Sequence, residues 1–145
     1  MTLPPIDLQF GDCRDLEVFL AERLYEFNSK ATGHFDGESF GATQRNESGT
    51  VIAGISGFTW GGCCVVSFLW VAEERRGEGL GGALLRAFEK NAIDKRCKIA
   101  FLSSHSFQSP GFYKHMGYEE LARIEDYPAG HDDFFFAKRL ASNVA

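Results

Sequence analysis

The sequence predicts an α/β (α+β) fold, with a mixed, mostly antiparallel central sheet and helices on both faces. Three observations carry that expectation. Residues 40–45, 51–60 and 64–71 are short apolar runs separated by turn sequences, the pattern of an antiparallel meander. A glycine-rich stretch and an amphipathic run then lead to another apolar strand, the pattern of a strand–helix–strand crossover. The chain closes on two further strand-like runs on either side of a "YPAGH" turn.

Taken in order, residues 12–28 read as a first helix. Asp12 stands where a cap belongs, and Leu16, Phe19, Leu20 and Leu24 recur at helical spacing. "SKATGHFDGES" is a glycine-containing turn region. The "NESGT" turn and the Gly61-Gly62 pair make tight connections between the first three strands. A helix over 79–95 follows, with Leu80, Leu84, Phe88 and Ala92 at every fourth position and Ala83, Leu85 and Ala87 widening the stripe. Residues 97–103 form a short buried strand. The intervening helix makes this strand parallel to the one before it, through a right-handed crossover. "SFQSPGFYKHMGY" gives a short helix stopped by Gly117, and "YEELARIED" and "DDFFFAKRL" give the last two strands.

With 145 residues, 44% hydrophobic and 24% charged, the chain is expected to form one domain, 1–145, with a real core. Fourteen phenylalanines point to a core built on aromatics. A net charge of -5 argues against nucleic acid, which selects basic surfaces. Cys13, Cys63, Cys64 and Cys97 have no disulfide-framework or C-x-x-C spacing, which suits reduced thiols. The N-terminus has no charged region followed by an apolar run, and no stretch approaches 18 apolar residues. Neither an export signal nor a membrane span is expected, and the location is expected to be cytoplasmic. His34, His115 and His131 have no metal-ligand spacing with one another or with the cysteines, so no metal is expected.

"RRGEGLGG", residues 75–82, carries the functional signal. From Gly77 it reads G-x-G-x-x-G, a dinucleotide fingerprint, but its context contradicts that. Five residues separate Val71 from Gly77, and the following strand ends without the carboxylate that would hold a ribose. No Lys-Ser/Thr follows the glycines, so a nucleotide P-loop fails too. From Arg76 the string reads R-x-x-G-x-G. Glycines let backbone N–H groups converge on an anion, and the helix start adds unpaired N–H groups and the positive end of its dipole. Arg76 can add charge-assisted hydrogen bonds.

Arg76-x-x-Gly79-x-Gly81 resembles the pyrophosphate-binding signature of the GNAT superfamily of acetyl-CoA-dependent N-acetyltransferases. "LWVAEERRGEGLGGALL" is similar to that family's strand, loop and helix start. "SPGFYKHMGYEE" resembles its second signature, F-Y-x-x-x-G-[FY], and "FFFAKRL" its closing strand. The likeness spans roughly residues 38 to 140. It implies transfer of an acetyl group from acetyl-CoA, the co-substrate, to a primary amine held in a ternary complex. It implies that the pantetheine arm lies between splayed strands, here residues 65–71 and 98–103. A backbone N–H near Leu69, Trp70 and Val71 would then hold the thioester carbonyl.

On this resemblance the cofactor-binding residues are Leu69, Trp70, Val71, Arg76, Gly77, Glu78, Gly79, Leu80, Gly81 and Gly82, with Ser106 and Gln108 from the second signature. Tyr113 stands at the position of the family's general acid. Many members carry a carboxylate base on the strand before the loop, where this chain has Ser67 and Phe68. His105 is the best-placed titratable group to take the amine's proton. The acceptor is a small-molecule or peptide amine, and the carboxylates Asp36, Glu38, Asp126, Asp132 and Asp133 suit a cation. The family implies a homodimer. The alternative is a CoA-binding sensor or interaction protein of the same fold, which would keep the phosphate loop and do little chemistry.

Overall fold

The computed structural model describes residues 1–141. They fall into two compact units, Met1–Phe35 and the chain from Asp36 onward. The first unit is a segment without helix or strand followed by a helix, α1 (Arg14–Thr32). Its N-cap is Cys13, without a side-chain cap, so Asp12 does not serve as one. Asp12 instead accepts the Arg14 N–H at 3.1 Å and pairs with the Arg14 guanidinium. Asp15 and Glu17 lie in the first turn and Lys30 in the last, each sign facing the dipole end it favours. The helix runs past residue 28 because "SKAT" holds no breaker. Gly33, at φ 78°, ends it by donating its N–H to the Ser29 carbonyl at 2.8 Å.

The second unit is a six-stranded sheet in the order β1-β2-β3-β4-β6-β5. Its strands are β1 (Glu38–Arg45), β2 (Val51–Trp60), β3 (Cys63–Val71), β4 (Ile99–His105), β5 (Glu119–Ile124) and β6 (Asp133–Arg139). Every neighbouring pair is antiparallel except β3–β4, which is parallel as a helical crossover requires. That crossover is α2 (Leu80–Asp94), and α3 (Pro110–His115) lies between β4 and β5. β4 starts at Ile99 rather than at residue 97. After α2 the chain reverses through Arg96, whose φ is 65°, while the Cys97 N–H still bonds the Ala92 carbonyl.

The apolar stripe of α2 makes the core. Leu84, Leu85, Phe88 and Ala92 are buried together with Ala53, Ile55, Cys64, Val66, Ala100 and Leu102. Phe88 stacks on Phe40 at 4.1 Å, and Tyr113, Tyr118, Phe134 and Phe136 extend the same cluster. Each large apolar side chain buried there contributes about 1.5–3 kcal/mol. Inside this packing, Glu89 on α2 receives both of its ion-pair contacts from Lys138 Nζ on β6, at 3.0 and 2.9 Å. Among the described residues no helix is long and apolar enough to cross a membrane.

Candidate active site

The site begins with a pairing that stops. β3 and β4 pair only at Cys63–Ile99, Cys64–Ala100 and Val65–Phe101. Beyond those positions β3 stays on the β2 ladder as far as Val71, and β4 stays on β6 as far as His105. The register on β2 explains the parting. Ser56 faces Phe68 and Gly57 faces Val66, which leaves Ser67 as an extra residue on β3. Such a bulge bends its strand and raises its twist. Gly57 is what permits it. A Cβ there would lie 1.9 Å from the Val65 carbonyl oxygen and 2.8 Å from the Phe88 ring.

The gap opens into a cavity of about 720 Å³. Its walls include the consecutive residues Val66 to Val71 on β3 and Leu102 to Ser104 on β4. Consecutive residues of both strands line it because the unpaired backbone edges of β3 and β4 face the gap. Backbone groups on the facing edges of β3 and β4 are left without a ladder there, as a linear amide ligand would need.

The glycine loop stands at one end of this cavity. Gly77 and Gly79 have φ of 84° and 83°, a left-handed conformation that side chains disfavour. Gly79 is the N-cap of α2 and supplies no side-chain cap, so the first N–H groups of the helix have no acceptor within it. A Cβ on Gly77 or Gly79 would meet no atom within 4 Å, which leaves room above the loop for phosphate oxygens. A Cβ on Gly81 would instead stand 3.6 Å from both Phe112 and Val71, an ordinary contact. Both arginines line the cavity, and Arg75 also pairs with Glu78 at 2.8 Å. Arg76 lines the cavity, its Nε donating to the Val71 carbonyl at 3.3 Å.

The short helix α3 places Tyr113. Pro110 starts it after Ser109, and the chain turns away at Gly117, φ 95°. Tyr113 lies against Phe112, Tyr118 and Phe136 and lines the cavity. Burial pushes its phenol above the ordinary range, so it stays protonated and can donate.

Of the residues singled out from sequence, Leu69, Trp70, Val71, Arg76, Gly77, Gly79, Leu80, Gly81, Gly82, Gln108 and Tyr113 all line the cavity. Glu78, Ser106 and His105 are not among its lining residues. Glu78 is engaged by Arg75, and Ser106 Oγ accepts the Asp132 N–H at 3.1 Å. His105 stands just behind the wall: its N–H donates to Gln108 Oε1 at 2.7 Å, and its ring stacks on Phe107 at 5.3 Å. Gln108 and Phe107 both line the cavity. Sequence reasoning missed Phe107, Phe112, Ser103 and Ser104, although their proximity to Tyr113 and His105 in the chain was a usable signal.

An open parallel pair, a glycine turn at a helix start and a buried tyrosine thus meet at one cavity. Residues 8–118 match the model of the acetyltransferase (GNAT) family, and the chain belongs to that family. The chain is 35% identical over 95 residues to a blasticidin-S acetyltransferase of Streptomyces morookaense, covering 65% of this chain and 70% of that protein. It is 26% identical over 132 residues to an acetyltransferase of Agrobacterium fabrum strain C58, covering 90% and 96%. Among solved structures, an acetyltransferase from Bacillus cereus ATCC 14579 superposes with a TM-score of 0.78 at 33% identity, covering 93% of this chain and 98% of that one. The protein is therefore an acyltransferase, and the acyl donor of its family is acetyl-CoA.

Proposed function

We propose that the protein transfers the acetyl group of acetyl-CoA to a primary amine, which attacks directly while both substrates are bound. The observation that carries this reading is the unpaired stretch of β3 and β4, with the phosphate-type glycine loop at its end. A dinucleotide has no use for an unpaired strand edge, whereas the amides of a pantetheine arm do. Gly77, Gly79, Leu80, Gly81 and Gly82 would take the pyrophosphate with backbone N–H groups, and Arg76 would add charge. Residues Leu69, Trp70 and Val71 would run beside the arm, with a backbone N–H holding the acyl oxygen. Tyr113 would give its proton to the departing thiolate. Acetyl-CoA supplies the activated acyl group; the chain orients it, keeps water out and moves protons.

The acceptor is an amine of small molecule or peptide. The Streptomyces relative is named for blasticidin S, so that compound stands first in a test panel with spermidine, kanamycin and an alanine-terminated peptide. The measurement is release of CoA thiol. Arg76→Ala is expected to raise KM for acetyl-CoA roughly 10–100-fold, the worth of a charged hydrogen bond. Tyr113→Phe is expected to lower kcat by about 10²-fold or more with that KM unchanged. Thiol release by no amine of the panel, or full kcat in Tyr113→Phe, would overturn the reading.

A further inference from the structure

The family reading leaves one requirement unmet. An alkylammonium has a pKa near ~10.4, so at neutral pH a proton must leave before nitrogen can attack. Ser67 and Phe68 on β3 cannot take it. The groups at the C-terminal end of β4 can.

His105 and Asp133 are direct cross-strand partners in the β4–β6 ladder, so their side chains leave the sheet on the same face. That face is opposite to the one carrying Ala100, Leu102 and Ser104, the buried positions of β4. The two nitrogens of His105 are not equivalent. Nδ1 lies 3.1 Å from the Tyr127 carbonyl oxygen, which can only accept, so Nδ1 carries the hydrogen. The lone pair of the neutral ring is thereby at Nε2. Asp133 Oδ1 lies 3.5 Å from Nδ1. Asp133 is only 5% exposed, and this oxygen accepts no hydrogen bond. A buried carboxylate at that distance compensates the charge the ring acquires with a proton. Phe107 stacks on one side of the ring and Tyr127 stands edge-on at 5.2 Å, which holds its plane.

The surrounding charges are engaged elsewhere. Asp132 Oδ1 accepts the Asp126 N–H, and Arg123 approaches Asp132 Oδ2 at 3.5 Å. His131 packs edge-on against Phe107 at 5.0 Å. Among the described residues, the Tyr127 carbonyl and Asp133 lie within 3.5 Å of the His105 Nδ1.

We infer that His105 takes the proton of the acceptor amine at Nε2, and that Asp133 is the positioning residue that keeps the ring in this tautomer and orientation. This rests on the amine-transfer reading above. Tyr113 lines the cavity, while His105 stands directly behind Phe107 and Gln108 of its wall, on the sheet face opposite to Ala100, Leu102 and Ser104. In the transfer the ammonium loses one proton to His105 Nε2, which returns it to solvent. The N–C bond forms as the C–S bond breaks, the sulfur leaves with the electron pair, and it takes the Tyr113 proton. The second proton lost by the nitrogen restores the Tyr113 phenol.

The test uses the full chain with acetyl-CoA and blasticidin S, spermidine or kanamycin, whichever the wild type acetylates, from pH 7 to 10.5. His105→Ala should lose about 10²–10⁴-fold in kcat/KM for the amine at pH 7. The loss should shrink below tenfold near pH 10.5, where the amine sheds its own proton. KM for acetyl-CoA should stay unchanged, and added imidazole should restore part of the rate. Asp133→Asn should lose about tenfold at pH 7 with the same taper. In the wild type, ¹⁵N NMR should show a protonated Nδ1 and a bare Nε2 on the neutral His105 ring. A loss independent of pH, a raised KM for acetyl-CoA in both variants, or the opposite tautomer would overturn the proton-acceptor role alone. No turnover of any amine by the wild type would overturn it together with the amine reading.

Discussion

Replacing Gly57 by alanine tests the origin of the cleft. The new Cβ would stand 1.9 Å from the Val65 carbonyl oxygen and 2.8 Å from Phe88 Cζ. Cβ atoms do not approach closer than 3.0 Å, so the backbone oxygen would have to move at least 3.0 − 1.9 = 1.1 Å. No rotamer change relieves a main-chain contact. Overpacking of this kind costs about 1–3 kcal/mol, and the backbone clash places Gly57→Ala toward the upper end. At roughly 4 °C per kcal/mol for a chain of this size, Tm should fall by about 4–12 °C. Val65 is also the last residue of β3 paired with β4, so KM for acetyl-CoA should rise as well. Two other sheet glycines calibrate the effect. A Cβ on Gly41 would meet the Ile55 oxygen at 2.8 Å, and one on Gly54 would meet its nearest atom at an ordinary 3.5 Å. Thermal unfolding of the three alanine variants should therefore rank Gly57 far below Gly41, with Gly54 nearly neutral. A Gly57→Ala protein that melts with Gly54→Ala and binds acetyl-CoA normally would refute the account of the bulge.

Gly79→Ala meets open space, so its only cost is the left-handed backbone, about 1–2 kcal/mol. It should lower Tm modestly and raise KM for acetyl-CoA severalfold with kcat unchanged, as steady-state kinetics will show. Lys138→Met leaves the Glu89 carboxylate buried without its cation and should cost about 3 kcal/mol in urea unfolding, most of it recovered in the Glu89→Leu/Lys138→Met double variant. Burial pushes the Cys64 thiol up to about 12, against an ordinary value of 9.0. Between those values the unfolded chain gives up a proton that the folded chain keeps, so stability falls as pH rises, by about 1.4 kcal/mol per unit. Urea midpoints at pH 9, 10 and 11 should drop less steeply in Cys64→Ala; equal slopes would refute the assignment.

The order of elements and the phosphate loop were legible because both rest on local chemistry. Apolar periodicity set β2, β3 and α2 to within a residue or two, and the glycines of 77–82 mark the loop that turns through positive φ at Gly77 and Gly79. The single parallel pair followed from a helix too long to be a hairpin. What sequence could not give depends on register. Ser67 looks like any strand residue until β2 is laid beside it, and only then does Gly57 acquire a reason. The side chains of Glu78 and Ser106 take partners, Arg75 and the Asp132 N–H, that a position in a motif does not reveal.

The same limit explains His105 and Asp133. The sequence marks His105 as a titratable group at a strand end and Asp133 as one carboxylate among several, but nothing in it pairs the two. β4 and β6 bring them together because the intervening α3 and β5 return the chain antiparallel at that register. A shift of one residue would send Asp133 to the helix-covered face and leave the imidazole without its carboxylate. The buried run Phe134 and Phe136 forbids that shift, since it would expose both rings to exchange them for Phe135 and Ala137. The aromatic core thus fixes the polar pair: the hydrophobic energy of β6 holds the register on which the positioning of His105 depends.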